Sequence, residues 1–397
     1  MDNKKHWTHI VKLIVIYSLF FAGLALIGFQ IGLESAEVAS ELTPVGFVLG
    51  LILVMIMVPL FMYIQVILHE GGHLLAGALS GYHFMLFRIG SFGVIKEKGK
   101  YRTISFSMSG TMGQCLMNPP EHKETIPFRF YLLGGCSANF VSSFVALLIH
   151  QNRPSAFLLL FAFLGLAAGL TNAIPFSFND GAILKKISQN PVARKQFFQQ
   201  LKWNAAFILD QKTYSEMRAD EAVIDPSEPL TEQFNVYASL IQINGYLEQE
   251  HLDTAYQALR PLFAARKQII APYRSEVLRE MLYLSLLLDR GTPEQVESIR
   301  SDKLFKAHLN NSQVDVFRVK CVIAYFLDND RKQAEKEYNA ALKALERSPT
   351  HADQALNRTL LAHLNRTLNL SRSIGQAEKR AVEGEKKSTQ KQEADNQ

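Results

Sequence analysis

Apolar positions are distributed very unevenly along the chain. The first 185 residues are strongly apolar and the rest is polar, so the mean hydropathy, close to zero, describes neither part. Four apolar runs in the first part are long enough to cross a bilayer as helices. The first, Ile10 to Ile31, follows a short polar start carrying Lys4 and Lys5 and has Ser18 and Gln30 within it. A cleaved signal peptide is the rival reading of this run. It is long for a signal, and Ser35-Ala36-Glu37-Val38-Ala39 is a poor cleavage site. The second run spans Val45 to about Ser80, the third Phe130 to Ile149, and the fourth Ala156 to Leu170, continuing into the segment Asn172 to Gly181.

The polar segments between the runs set a topology. Leu33 to Thr43 holds Glu34, Glu37 and Glu41 without Lys or Arg and is expected outside, whereas His83 to Met117 holds Arg88, Lys96, Lys98, Lys100 and Arg102 and is expected inside. Lys185 and Lys186 after the fourth run are also expected inside. The result is a multi-pass cell-membrane protein with four spans and both termini cytoplasmic. Within the basic segment, Phe84 to Ile89 and Tyr101 to Met108 favour strands, and Lys96-Glu97-Lys98-Gly99-Lys100 reads as the turn of a hairpin.

From about Pro191 to Leu370 the pattern is that of soluble helices. Tyr246 and Ala255, Leu287 and Val296, and Tyr325 and Ala334 are each nine apart, with Gly291 and Asn329 at helical turns and Tyr338 and Ala341 extending the last match. The arrangement is similar to tetratricopeptide-type helical hairpins, which stack into a concave peptide-binding surface; a generic helical bundle is the alternative. Gln376 to Gln397 is rich in Lys, Glu, Gln and Ala without apolar period and is expected to be disordered. The expected fold class is therefore mainly α, with a small β-hairpin insert. Residues 1–186 form a membrane domain, 187–375 a cytoplasmic helical domain and 376–397 a charged tail.

Composition narrows the function. The net charge of +5 is spread thinly, without a basic block of the kind that binds nucleic acid. Cys115, Cys136 and Cys321 have no paired spacing, so neither a disulfide framework nor a cysteine zinc cluster is expected. Candidate chemistry lies instead in His69-Glu70-Gly71-Gly72-His73, inside the second apolar run. Two histidines four apart share one helix face and can grip one Zn²⁺. Glu70, one step on, stands beside the ion, where it can take a proton from the attacking water and hand it to a leaving amine. This is the H-E-x-x-H metalloprotease signature. The plain alternative is a pair of core histidines, but ionisable groups at the edge of an apolar span are costly and by default functional. Gly71 and Gly72 each weaken the helix by about 1 kcal/mol, and close approach of another helix is the expected return. Asn172-Ala173-Ile174-Pro175-Phe176-Ser177-Phe178-Asn179-Asp180-Gly181 supplies a third ligand, Asp180, after a helix broken at Pro175. His83 is expected to be an ordinary interface histidine.

H-E-x-x-H on one membrane helix with N-x-x-P-x-x-x-x-D-G on a later one resembles the site-2 protease family of intramembrane zinc metalloproteases. Gly134-Gly135-Cys136-Ser137-Ala138-Asn139 is similar to that family's G-P-x-x-N element, with Cys136 where the proline stands. The resemblance covers about residues 45 to 185. It implies zinc on His69, His73 and Asp180, general base and acid work by Glu70, and substrate positioning or oxyanion roles for Asn172 and Asn139. For Asn139, helix packing through small residues is the alternative. It also implies a small sheet beside the active site and cleavage of a membrane-spanning protein or peptide. The rival reading is a membrane-anchored helical scaffold with a structural or inactive metal site.

Overall fold

The computed structural model describes residues 44–121, 126–175, 178–217 and 224–370, with a few isolated residues between 15 and 26. The expected first span, apart from those few residues, and the expected charged tail lie outside the described residues. The chain is mainly helical with one small antiparallel sheet. It forms two compact units: Met1–Thr103 with Gly110–Asp210, and Gln211–Gln397 with Ile104–Ser109.

The first unit is built on α1 (Pro44–Leu79), α2 (Phe128–Asn152) and α3 (Ala156–Ala173). Among the described residues these three helices are long and apolar enough to cross a membrane. At 1.5 Å per residue, the 36 residues of α1 extend about 54 Å, well beyond a hydrocarbon layer of about 30 Å. The helix stops where Gly81 takes a φ of 86°, which lets the Tyr82 N–H reach the Gly77 carbonyl at 2.9 Å. Small residues set how closely α1 and α2 cross. A Cβ at Gly72 would stand 2.2 Å from the Gly134 carbonyl oxygen, and one at Gly134 would stand 2.4 Å from that of Gly72. Gly71 has open space around it, so only the second glycine of the pair serves the approach.

Four strands follow α1: β1 (His83–Ile89), β2 (Phe92–Glu97), β3 (Lys100–Ser105) and β4 (Gly113–Asn118), in the order β3-β2-β1-β4. The sequence pattern predicts two strands in one hairpin, and the difference has a local cause. Gly90, with φ 60°, turns the chain directly after β1, so Phe92–Glu97 returns along it, Ile89 opposite Phe92 and Leu86 opposite Ile95. Lys98 and Gly99, both at positive φ, then make the tight turn into β3. The expected turn thus joins β2 to β3. β4 takes the other side of β1, with Ile89 opposite Gly113 and His83 opposite Asn118, and a bulge between Phe84 and Leu86.

α4 (Asp180–Gln189) and α5 (Pro191–Ile208) complete this unit, so the boundary drawn at residue 186 lies inside a helix. Asn179 fixes the break after α3. Its Nδ2 donates to the carbonyls of Thr171 (2.6 Å) and Ile174 (2.8 Å), while its Oδ1 caps α4 by accepting from Ala182 N–H at 3.0 Å.

The second unit contains α6 (Gln233–Glu248), α7 (Leu252–Ala264), α8 (Ala271–Leu287), α9 (Pro293–Arg300), α10 (Lys303–His308), α11 (Val314–Phe326), α12 (Arg331–Leu345) and α13 (His351–Leu368). Leu259, Leu282, Ile299, Val319, Ala334 and Leu360 are among the residues of one continuous apolar core. Glu250, Asp289 and Asn329 take left-handed φ values of 59°, 51° and 51° just after α6, α8 and α11, where each helix gives way to the next. A buried ionic group ties three helices together. Arg318 of α11 donates to Glu280 of α8 at 2.6 Å and to Asn357 of α13 at 3.3 Å, and Arg279 meets Glu280 at 2.9 Å and Asp315 at 2.5 Å.

Candidate metal centre

The buried positions on the second half of α1 are Gln65, His69, Glu70, His73, Ala76 and Gly77, a stripe at helical spacing. The apolar residues Met62, Tyr63, Ile67 and Leu75 point the other way and are exposed. Polar groups therefore face inward, as expected of a helix whose outer surface meets lipid rather than water.

Across from this stripe lies Asp180, the first residue of α4. Its Oδ2 is 2.9 Å from His69 Nε2 and 3.2 Å from His73 Nε2, and the two Nε2 atoms are 3.2 Å apart. What each nitrogen presents is fixed by the bond on the other side of its ring. His73 Nδ1 faces the Tyr131 carbonyl at 2.9 Å, which only accepts, so this nitrogen carries the hydrogen. His69 Nδ1 faces Asn139 Oδ1 at 2.7 Å; Asn139 Nδ2 is turned away, donating to the Gln65 carbonyl at 2.9 Å. With its hydrogen on Nδ1, each imidazole, when neutral, directs a bare Nε2 lone pair at the carboxylate oxygen.

Three lone-pair atoms so close repel one another unless a positive charge lies among them. A proton on one imidazole answers part of that need, whereas a divalent cation answers all of it. The donor set fits zinc: two nitrogens and one carboxylate oxygen, with Nδ1 of each histidine held by an acceptor. Tetrahedral bonds of about 2.1 Å set ligand atoms about 3.4 Å apart, close to the separations here. Among the described residues, His69, His73 and Asp180 are the group of metal-binding side chains that converges in this way.

Glu70 is buried beside this cluster, against the first residue of β4: a Cβ at Gly113 would stand 2.4 Å from Glu70 Oε1. Tyr131 joins the parts, accepting from His73 at its carbonyl and donating from Oη to the Cys115 carbonyl of β4 at 2.8 Å. Gly135 lets α2 pass over the histidines, since a Cβ there would fall 2.5 Å from His73 Nε2 and 2.6 Å from His69 Nε2.

The residues singled out from the sequence fall into two groups. His69, His73, Asp180 and Glu70 meet. Asn139 also reaches the cluster, but as the fully buried group that orients His69. Asn172 does not join by a hydrogen bond: its Nδ2 donates to Ala168 one turn back in α3. Gln65 and Asn179 were not legible as site residues, and Gly135 was read only as part of a motif resemblance. Asn179 had a signal, an N-cap residue directly before the start of a helix, and Gln65 stands one turn before His69. Compared with known proteins, the chain matches no family model, no curated protein and no solved structure.

Proposed function

We propose that the chain is a multi-pass intramembrane zinc endopeptidase of the site-2 protease kind, with its peptidase site in the first unit. One observation carries the reading. Two imidazole nitrogens and a carboxylate oxygen 111 and 107 positions away in sequence converge, and a buried glutamate lies beside them. The topology in this reading has four spans, including Ile10 to Ile31, and both termini in the cytoplasm. His69 lies about 38 Å along α1 from Pro44, beyond the thickness of the hydrocarbon layer, which suits a site near one membrane face.

The substrate class is a membrane-spanning protein or peptide. An α-helix hides its carbonyls in internal bonds, so the substrate must unwind locally before it can be cut. β4 is an edge strand of its sheet and begins against Glu70, so an extended substrate added along that edge would bring its carbonyl to the site. When bound by His69, His73 and Asp180, zinc would polarise that carbonyl and lower the pKa of a water to about 7. Glu70 accepts the proton of the attacking water as the new C–O bond forms, and returns it to the amine as the C–N bond breaks. Asn139 and Tyr131 keep the two imidazoles aimed while this happens.

In the second unit, Ala255, Val296 and Ala334 are buried at the corresponding places of three successive helical hairpins, which supports a tetratricopeptide-like array that would bind a protein partner or substrate. The deciding experiment compares membranes containing wild-type protein with membranes containing Glu70→Gln. The variant is expected to retain zinc and to accumulate an uncut membrane stub. Cleavage at the wild-type rate by Glu70→Gln would rule the assignment out.

A further inference from the structure

Gln65 is 1% exposed, one helical turn before His69 on the inward stripe of α1. A fully buried amide in a membrane-spanning helix demands partners, and this one finds them on two other helices. Its Oε1 accepts from Asn139 Nδ2 of α2 at 2.9 Å and from Ser142 Oγ at 3.4 Å. Its Nε2 donates to the Phe161 carbonyl of α3 at 3.3 Å. Room for it is built in: a Cβ at Gly165 would stand 2.6 Å from Gln65 Nε2 and 2.2 Å from Ser143 Oγ.

These bonds have a chemical consequence beyond packing. An amide has one accepting end and one donating end, and their positions exchange when the group flips. Gln65 offers two acceptors, its carbonyl and its Oε1, to the same end of Asn139, each at 2.9 Å. That end must be the NH₂, so Oδ1 must face His69, and His69 must carry its hydrogen on Nδ1. The Nε2 lone pair is then left for the cluster. We infer that Gln65 is a positioning residue of the metal centre: its side chain, adding a second acceptor to that of its own backbone carbonyl, holds Asn139 in the orientation that selects the His69 tautomer able to bind a cation at Nε2. The inference rests on the metal reading of the cluster.

Two substitutions separate this role from plain packing. Leucine at 65 fills the space and suits a membrane interior but offers no side-chain acceptor. Glutamate keeps an accepting oxygen towards Asn139, whether or not it is protonated, but is the worse residue for apolar packing. The measurement is Zn²⁺ affinity of the purified full-length chain in lipid nanodiscs, by competition with a chromophoric chelator. Gln65→Leu should weaken zinc binding about ten- to a hundredfold. Gln65→Glu should bind at least fivefold more tightly than Gln65→Leu. Equal affinity for Gln65→Leu and wild type, or weaker binding by Gln65→Glu than by Gln65→Leu, overturns the positioning role and leaves the metal centre standing. Wild-type affinity no better than that of His69→Ala overturns the metal reading and this inference with it.

Discussion

Both units bury charged groups, but they complete them in opposite ways. In the second unit, Glu280 and Asp315 lie against Arg318 and Arg279, and the chain supplies both signs. Burial pushes both carboxyls up, and the arginines, with His308 for Asp315, pull them below their usual range. In the first unit, Asp180 lies against two imidazoles whose hydrogens are held on the far side of each ring. The chain supplies only lone pairs there. A self-completed ionic group is a structural device, whereas a converging set of acceptors could hold a positive charge supplied from outside. The distinction rests on which atoms face each other, since both groups are buried and both contain acids.

The largest expected effect breaks the converging set itself. Asp180→Asn keeps the size of the side chain but removes its charge. Zinc affinity should fall by roughly a hundredfold or more, measured by chelator competition, because a neutral amide is a poor ligand in a buried three-donor set. The same test applied to the second unit should give no change in zinc binding. There, Arg318→Met should lower stability by about 3–5 kcal/mol by leaving Glu280 with one fewer partner. Adding Glu280→Leu to that variant should recover much of the loss. Hydrogen exchange in peptides from α8 and α11 reads both results.

A smaller effect sharpens the comparison on the first side. Gly135→Ala puts a methyl group where His69 and His73 now lie, so it should weaken zinc binding about tenfold and cost about 1–3 kcal/mol of stability. Gly71→Ala, with open space around the site, should do neither. The smallest effect lies with Glu276, whose carboxylate accepts from Asn244 at 2.9 Å. Burial, against the pull of Arg279, raises its pKa in the folded chain. A raised folded value means stability that is present below the unfolded pKa of about 4.5 and lost as pH rises through the folded one. Glu276→Gln should remove that slope from unfolding curves followed upward from about pH 4.5.

Much of the first unit was legible because long apolar helices announce themselves by length and because His69, Glu70 and His73 are local in sequence. The meeting of Asp180 with them was not local. It depends on Pro175 ending α3 and on Asn179 holding both sides of the break, and the bonds of Asn179 are visible only in three dimensions. The sheet was half legible. Alternation marked β1 and β3, but β2 follows β1 with only Gly90 and Ser91 between them, and the turn at Gly90 depends on a single φ. Asn139 was noticed, but not for its contact with a histidine. Its place in a run of small residues could suggest packing or substrate contact, and only its 2.7 Å bond to His69 shows which side chain it orients. In the second unit, the helical turns could be guessed from spacing, whereas the pairing of Arg318 with Glu280, 38 positions apart, leaves no trace in periodicity.

The account stands on a cation held jointly by α1 and α4. X-ray absorption at the zinc edge of the purified full-length chain tests it most directly. The account predicts one zinc per chain, with two imidazole nitrogens and at least one oxygen at about 2.0–2.2 Å. That spectrum should be lost in His69→Ala and altered in Asp180→Asn. A chain that takes up no zinc, or a spectrum that neither substitution changes, would contradict it.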